Sequence, residues 1–456
     1  MDLACLVLGS VIGISVRLGH EDVATYVHGH LEGWLLFFGG ILLANYLSGS
    51  YRLQYMFSRF NLVVTWLFSL LFTMLILSFT SYAWFTVVLG RGVLLLSVAT
   101  YSILSLFLKL LVYRSLFRSE LFLCRAAVIG SGRRAQELRR LLEHEMVMPA
   151  HRVVAFVDVS TGADERSAPR TLSDGVAVIP ATPTEIESVL HSLSVRLVVI
   201  GTEDRAVGAR LHPQLVRLRF QGVEVMTPMA VHEVYAGRTP TELLDDEAIL
   251  QMSQDCDIPM IERSKRVLDL LAAVVACTVF APVAALTALC IKVTDWRAPV
   301  LYSQLRVGQF GQTFRIFKFR TMRVDAERGT GAVWASANDP RVTRLGRFLR
   351  ASRLDEVPQF WNILQGDMSV VGPRPERPEL VGRLADQIPY FHERENVLPG
   401  LTGWAQIRYP YGSSVEDARR KLEFDLYYIK HVSLSLDLQI ILSTIRIVLF
   451  GKERSL

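Results

Sequence analysis

Charge and cysteine are both scarce in this sequence. Charged residues fill 20% of the 456 positions against 51% for apolar ones, and the mean hydropathy is +0.30. That balance excludes an ordinary soluble enzyme and puts part of the chain in lipid. The five cysteines (Cys5, Cys124, Cys256, Cys277, Cys290) show no C-x-x-C spacing. A zinc site and a disulfide framework are thereby excluded, which leaves buried thiols. There is no low-complexity tract, no internal repeat and no Tyr-x-x-x-Lys pair, so the proton-transfer couple of a short-chain sugar dehydratase is missing. The net charge of +5 is mild. It suits a membrane surface or phosphorylated substrates and does not argue for nucleic acid.

The length allows two or three domains. Four apolar segments fill the first part of the chain, at about Leu3–Val16, Leu31–Leu47, Asn61–Thr80 and Val88–Val112, each near the length a transmembrane helix needs. The first lacks a small-residue cleavage site and reads as an uncleaved anchor. Arg52 and Arg59 lie between the second and third segments, and Lys109, Arg114 and Arg118 close the fourth. The positive-inside rule then places the N-terminus and both these regions in the cytoplasm. No acid or lysine is expected mid-segment, so residues 1–118 read as an anchor and not a transporter.

From residue 119 to 240 strands and helices alternate. Gly130-Ser131-Gly132-Arg133-Arg134-Ala135 follows a strand and opens a basic helix. This G-x-G-x-x-A pattern, through Gly130, Gly132 and Ala135, is able to lay a pyrophosphate on a helix N-terminus. It serves equally as a tight turn with close helix–sheet packing. We expect a Rossmann-like α/β domain here, then a linker over 241–263.

Ser264–Arg297 is long enough to cross a membrane, yet Pro282 interrupts it and basic residues flank both ends: Lys265 and Arg266 before, Lys292 and Arg297 after. A spanning helix carries that bias on one side. A fifth span would also export everything after it. We therefore expect a helix–break–helix over 264–297 that enters the membrane and returns.

The last third is basic. Lys318 and Arg320 lie in "FKFRTM", and Arg341, Arg344, Arg347, Arg350 and Arg353 crowd the approach to Asp355-Glu356. Arg374 is held between Pro373 and Pro375 in "GPRPERP", a backbone with few conformations, so its guanidinium is pre-aimed. Lys318, Arg320, Arg350 and Arg374 are candidate phosphate ligands. The bland alternative for the acids is structural: Ser352-x-x-Asp355 resembles a capping box, and acids suit a first helical turn. Trp404, in "PGLTGWAQI", is a candidate pocket wall or core residue, and "FDLYYIKHVSLSLDLQIILSTIRIVLF" a packed or interface-lying helix.

The stretches "KRVLD", "KFRTM", "RLGRFLRASRLDEVPQFWNIL", "GDMSVVGPRPE" and "PGLTGWAQI" occur in order from Lys265, and together they resemble the bacterial sugar transferases, the monotopic polyprenyl-phosphate phosphoglycosyl transferases. The layout is similar to the large, exopolysaccharide-associated members. The resemblance implies a membrane protein of α plus α/β class: four transmembrane helices, a Rossmann-like domain, and a mainly α catalytic domain (264–456) with a re-entrant helix. It implies transfer of a sugar-1-phosphate from a nucleotide diphosphate sugar, such as a UDP-sugar, to polyprenyl (undecaprenyl) phosphate at the cytoplasmic membrane face. A nucleoside monophosphate is released and glycan assembly begins.

On the resemblance Asp355 is the nucleophile that carries a phosphosugar, Glu356 helps hold Mg²⁺, Arg350 and Arg374 bind phosphate, and Lys318 is a further functional lysine. The partners it implies are the nucleotide sugar, the lipid phosphate and the membrane, and it admits a homodimer and downstream glycosyltransferases. One departure stands out: the family's hairpin commonly breaks at Ser-Pro, whereas this chain has Ala281-Pro282, so a serine hydroxyl that would bond a freed carbonyl is absent. Two competing functions follow from other features: a nucleotide-binding oxidoreductase or sensor centred on Gly130–Ala135, and a non-enzymatic scaffold for polysaccharide export.

Overall fold

The computed structural model describes residues 2–19, 23–47, positions 66–67, 69–71, 73–74 and 78, then 90–116, 124–144, 151–159, 170–171, 175–254, 258–324, 326, 339–410, 412 and 414–450. The chain forms two compact units, residues 1–236 and 237–456. It mixes helices with a parallel sheet.

In the first unit, apolar helices run over Asp2–Leu18, Leu31–Leu47 and Arg91–Leu116. These coincide with three of the four expected apolar segments. The third, Asn61–Thr80, lies largely outside the described residues. Among the described residues, two helices in the chain are long and apolar enough to cross a membrane, Gly92–Val112 and Glu262–Thr294. Lys109 is not a loop charge. It sits inside its helix, and its ammonium lies 3.6 Å from the Asp2 carboxylate, with Ser105 donating to the same acid. A buried pair is how a helix bundle tolerates such charges, and it removes Lys109 from the topogenic count.

The sheet of this unit is built from β1 (Cys124–Ile129), β2 (His151–Val159), β3 (Arg170–Thr171), β4 (Ala177–Ala181), β5 (Leu197–Ile200) and β6 (Glu224–Met226), in the order β3-β4-β2-β1-β5-β6. All neighbours are parallel except β3 with β4. Central β1 and β5 are near-continuous apolar runs because both sheet faces are covered. Ala126, Val128, Phe156 and Val199 pack on the side of helix Arg133–His144, and Ala127, Ile129, Val157 and Val198 on the side of helices Ile186–Ser192 and Arg205–Phe220.

In the second unit, residues 241–263 carry a 3-10 turn at Thr241–Leu243 and a helix at Asp246–Gln254. The helix Ile258–Thr294 is continuous across Pro282, so the expected break in hydrogen-bonded helix does not occur there. Bend-promoting contacts flank the proline instead: the Thr278 hydroxyl donates to the Val274 carbonyl and Thr287 to Val283.

After it, β7 (Leu301–Val307) and β8 (Thr313–Phe319) form an antiparallel hairpin, and β9 (Ser369–Val371) pairs in parallel with β10 (Gly400–Thr402). Fully buried Asn362 covers the open edge of β8. Its amide nitrogen donates to the Arg315 carbonyl, and its oxygen accepts from the Phe317 N–H. The last apolar stretch forms helices Val415–Lys430 and Leu434–Phe450, which pack through Phe424, Tyr428 and Ile440.

Candidate active site

Asp355 and Glu356 lie in a single 3-10 turn, Leu354–Glu356, between helices Arg344–Ala351 and Gln359–Gln365. Ser352 does not cap it. Ser352 is the C-terminal cap of the preceding helix and its hydroxyl donates back to the Phe348 and Leu349 carbonyls. The reversal is made instead by Arg353, whose φ of 58° is left-handed. That turn brings both acids, each buried, onto the face that receives β8 and the Arg374 loop.

Three cations converge on Glu356. Lys318 Nζ, from β8, donates to Oε1 at 3.1 Å, and Arg374 Nη2 donates to the same oxygen at 2.9 Å. Arg353 Nη1 reaches Oε2 at 3.5 Å. Burial pushes the carboxyl up, but Arg374, Lys318 and Arg353 together outweigh it and hold Glu356 far below the usual carboxylate range. Lys318 is lowered by burial, against the pull of Glu356.

Asp355 is treated in the opposite way. Burial first, and then its neighbour Glu356, raise its pKa, while Lys318, Arg350 and Arg353 oppose them. Its Oδ1 has no hydrogen-bond partner among the described residues. A buried carboxylate oxygen left unpaired costs free energy unless something outside the chain uses it. Two adjacent acids are thus pushed in opposite directions by their surroundings.

Arg350 stands beside Asp355 because its Nε donates to the Thr321 hydroxyl at 2.9 Å. Arg374 is further held by Gln406, whose side-chain oxygen accepts from Nη1 at 3.3 Å. Arg320 is not brought into this group: its Nε donates to the Pro299 carbonyl at 3.0 Å, where the chain enters β7. Trp404 is core. Its indole N–H donates to the Gly237 carbonyl and its ring stacks on Tyr427.

Several supporting residues carry no local sequence signal. Arg266 donates to the Ile363 and Leu364 carbonyls and so caps the helix that follows the acids. Asp269 accepts from the Val370 N–H, which ties the foot of the long helix to β9. Arg306, Arg394 and Asp425 lie behind the Arg374 loop. Their partners stand tens of residues away, and basic residues are too common here for any one to stand out.

Gly130 has a φ of +96°, and a Cβ there would lie 3.1 Å from the Thr202 nitrogen. Ser131 donates to Asp158, Ala135 is fully buried, and Gly132 faces open space. Chain packing accounts for Gly130 and Ala135.

For Mg²⁺, the relevant observation is the asymmetry of Glu356. Oε1 is taken twice, whereas among the described residues Oε2 carries only the long contact to exposed Arg353. A hard cation that takes one or two carboxylate oxygens and completes its shell with phosphate and water fits that arrangement.

A family model described as Bacterial sugar transferase matches residues 260–451. The chain is 39% identical over 254 residues to the UDP-N-acetylgalactosamine-undecaprenyl-phosphate N-acetylgalactosaminephosphotransferase of Aeromonas hydrophila, covering 56% of this chain and 59% of that protein. It is 40% identical over 210 residues to the UDP-glucose:undecaprenyl-phosphate glucose-1-phosphate transferase of Caulobacter vibrioides, covering 45% of this chain and 78% of that one. Over 186 residues it is 39% identical to the exopolysaccharide production protein PSS of Rhizobium leguminosarum bv. phaseoli, 40% of this chain and 92% of that one. The chain belongs to the bacterial sugar transferase family.

Proposed function

We propose that the protein moves a sugar-1-phosphate from a nucleotide diphosphate sugar to polyprenyl phosphate, by way of a phosphosugar carried on Asp355. The observation that carries this reading is the unpaired, buried Oδ1 of Asp355 beside a Glu356 that gathers Lys318 and Arg374. The names of the relatives, which describe undecaprenyl-phosphate sugar phosphotransferases, support the substrate class.

In the first step Oδ1 attacks the sugar-bearing phosphorus, and the bond to the bridging oxygen breaks. The nucleoside monophosphate leaves with that electron pair. In the second, an oxygen of the lipid phosphate attacks the same phosphorus and frees the carboxylate. A carboxylate approaching a diphosphate is repelled, so Arg374, Lys318 and Arg350 are placed to offset charge on the non-bridging oxygens. Glu356 would hold Mg²⁺ through Oε2. When bound, the ion supplies further positive charge to the diphosphate.

The same reading places the catalytic unit on the cytoplasmic face of the inner membrane. Both halves of the long helix pack on the second unit: Ala273 belongs to a buried cluster with Ile316, and Ala284, Ala288 and Ile291 to one with Phe319 and Leu349. In a straight helix Ala273 and Ile291 are ~27 Å apart, whereas Ile316 and Phe319 are ~10 Å apart along β8. Between these anchors Thr278, Val279, Phe280, Ala281 and Pro282 are exposed. A bend at Pro282 with its apex in lipid reconciles the two lengths and keeps Lys265 and Lys292 on one side. The multi-pass anchor of the first unit and its Rossmann-like sheet complete the arrangement.

The test is Asp355→Asn in membranes supplied with nucleotide sugar, polyprenyl phosphate and Mg²⁺. We expect product to fall at least ~10³-fold, since the amide is no nucleophile. Turnover near wild type removes Asp355 from this role.

A further inference from the structure

We propose that Arg394 and Asp425 form a positioning pair that fixes the Arg374 backbone and thereby sets the affinity of the site for the donor diphosphate. The proposal rests on Arg374 being a ligand of that diphosphate.

The Arg374 side chain is aimed by Glu356 and Gln406, but aim also requires a fixed origin. That origin is the Arg374 carbonyl, which accepts from Arg394 Nη2 at 2.9 Å. The same Nη2 lies 2.8 Å from Asp425 Oδ2, with only 10% and 2% of the two side chains exposed. The guanidinium also stands over the Phe391 ring, 5.2 Å from its centroid. The rest of the loop is gripped in parallel: Arg306 Nη1 donates to the Pro375 carbonyl, the Val307 N–H to Glu376, and the Gly400 N–H to Pro373.

A buried ion pair is a poor device for stability alone, because well-packed apolar side chains of similar volume serve as well or better. What an apolar pair does not provide is a directed N–H on the Arg374 carbonyl. Asp425 holds that guanidinium in place by charge, its Oδ2 lying against Nη2 without a hydrogen bond.

The pair also responds to pH. Asp425 is pushed up to about 6 by burial; Arg394 and Lys421 draw it down and Glu376 pushes it further up. It is therefore ionised above that value and neutral below it. When it is neutral, Arg394 keeps its charge but loses its counter-charge, and the donor to Arg374 is no longer held in direction.

The experiment measures donor KM and kcat from pH 5 to 8 at saturating polyprenyl phosphate. It uses full-length protein in native membranes or nanodiscs, with the nucleotide sugar that wild type turns over. The forms compared are wild type, Asp425→Asn, Arg394→Lys and Arg374→Ala. We expect wild-type KM to rise several-fold as pH falls through about 6. Asp425→Asn should show a KM raised about tenfold at pH 7.5, flat through that window, with kcat changed less than about threefold, the signature of lost ground-state binding. Arg394→Lys, which keeps the charge but not the planar fork, should also raise KM, and it decides the matter if Asp425→Asn does not fold.

A folded Asp425→Asn with wild-type KM and wild-type pH slope overturns the proposal, even if its melting temperature has dropped. So does a wild-type KM in Arg394→Lys. If Arg374→Ala raises KM and these two variants do not, positioning fails while the reading of Arg374 stands. If Arg374→Ala leaves KM unchanged, that reading fails and the pair falls with it.

Discussion

Arg353 occupies a backbone conformation that costs a non-glycine residue roughly 1–2 kcal/mol, and it does so two residues before Asp355. Strain of this kind persists at functional sites where the surroundings over-determine it. Its side chain is 56% exposed and its contact to Glu356 is long at 3.5 Å, so the charge returns little stability. The balance predicts opposite signs for stability and activity. Arg353→Gly should leave the melting temperature unchanged or raise it by up to ~1 kcal/mol equivalent. Turnover should fall by less than about tenfold, from the loss of one cation near Asp355 and Glu356. Thermal melting and initial rates on the same preparation check both.

The residues that the sequence crowds locally are near one another in the structure: Asp355, Glu356, Lys318, Arg350 and Arg374 fall together. The sequence leaves open whether Ser352 caps the acids' turn, because the S-x-x-D spacing is shared by a helix end and a helix start, and only the left-handed Arg353 distinguishes them. Residues two apart on a strand share a face, but β8 ends at Phe319, before Arg320. Lys318 aims inward, and Arg320, two residues on, lies just past the end of β8, where its side chain turns to Pro299.

At the scale of elements, the helix Arg344–Ala351 shows how closely the site depends on backbone approach. A Cβ on Gly346 would lie 2.0 Å from the Thr321 carbonyl oxygen and 2.7 Å from its carbon. Helix propensity alone favours alanine there by ~1 kcal/mol. The clash is with backbone, which has no rotamer to yield, so overpacking of ~1–3 kcal/mol wins. Relief requires the helix to back away from Thr321, which also breaks the Arg350–Thr321 bond. Gly346→Ala should therefore lower stability by ~1–2 kcal/mol net and reduce turnover more than tenfold. Denaturation midpoints and rates measure the two effects. Apolar length found the long helix but not its continuity, since Pro282 is tolerated where bending contacts flank it. Lys109 escaped because its partner, Asp2, is at the far end of the membrane block in sequence.

At the scale of the whole molecule, the chemistry described above lies within the second unit. Asp355, Glu356, Lys318, Arg350, Arg374 and the groups that hold them all fall in residues 237–456. That unit has its own buried clusters, around Leu422 and Leu426, around Tyr428 and Ile440, and around Ile316 and Ile363. The Rhizobium relative matches over 186 residues that make up 92% of its length, so a protein of this family exists with little beyond the aligned stretch. In this chain the second unit also carries a helix, Glu262–Thr294, that is long and apolar enough to cross a membrane. We expect a chain beginning at Gly237, extracted into detergent or nanodiscs, to retain donor KM within about threefold and kcat within about tenfold of the full chain, since every site residue named above is kept. A loss beyond about a hundredfold, with the fragment folded by its melting curve, would make residues 1–236 a working part of the catalyst rather than its anchor.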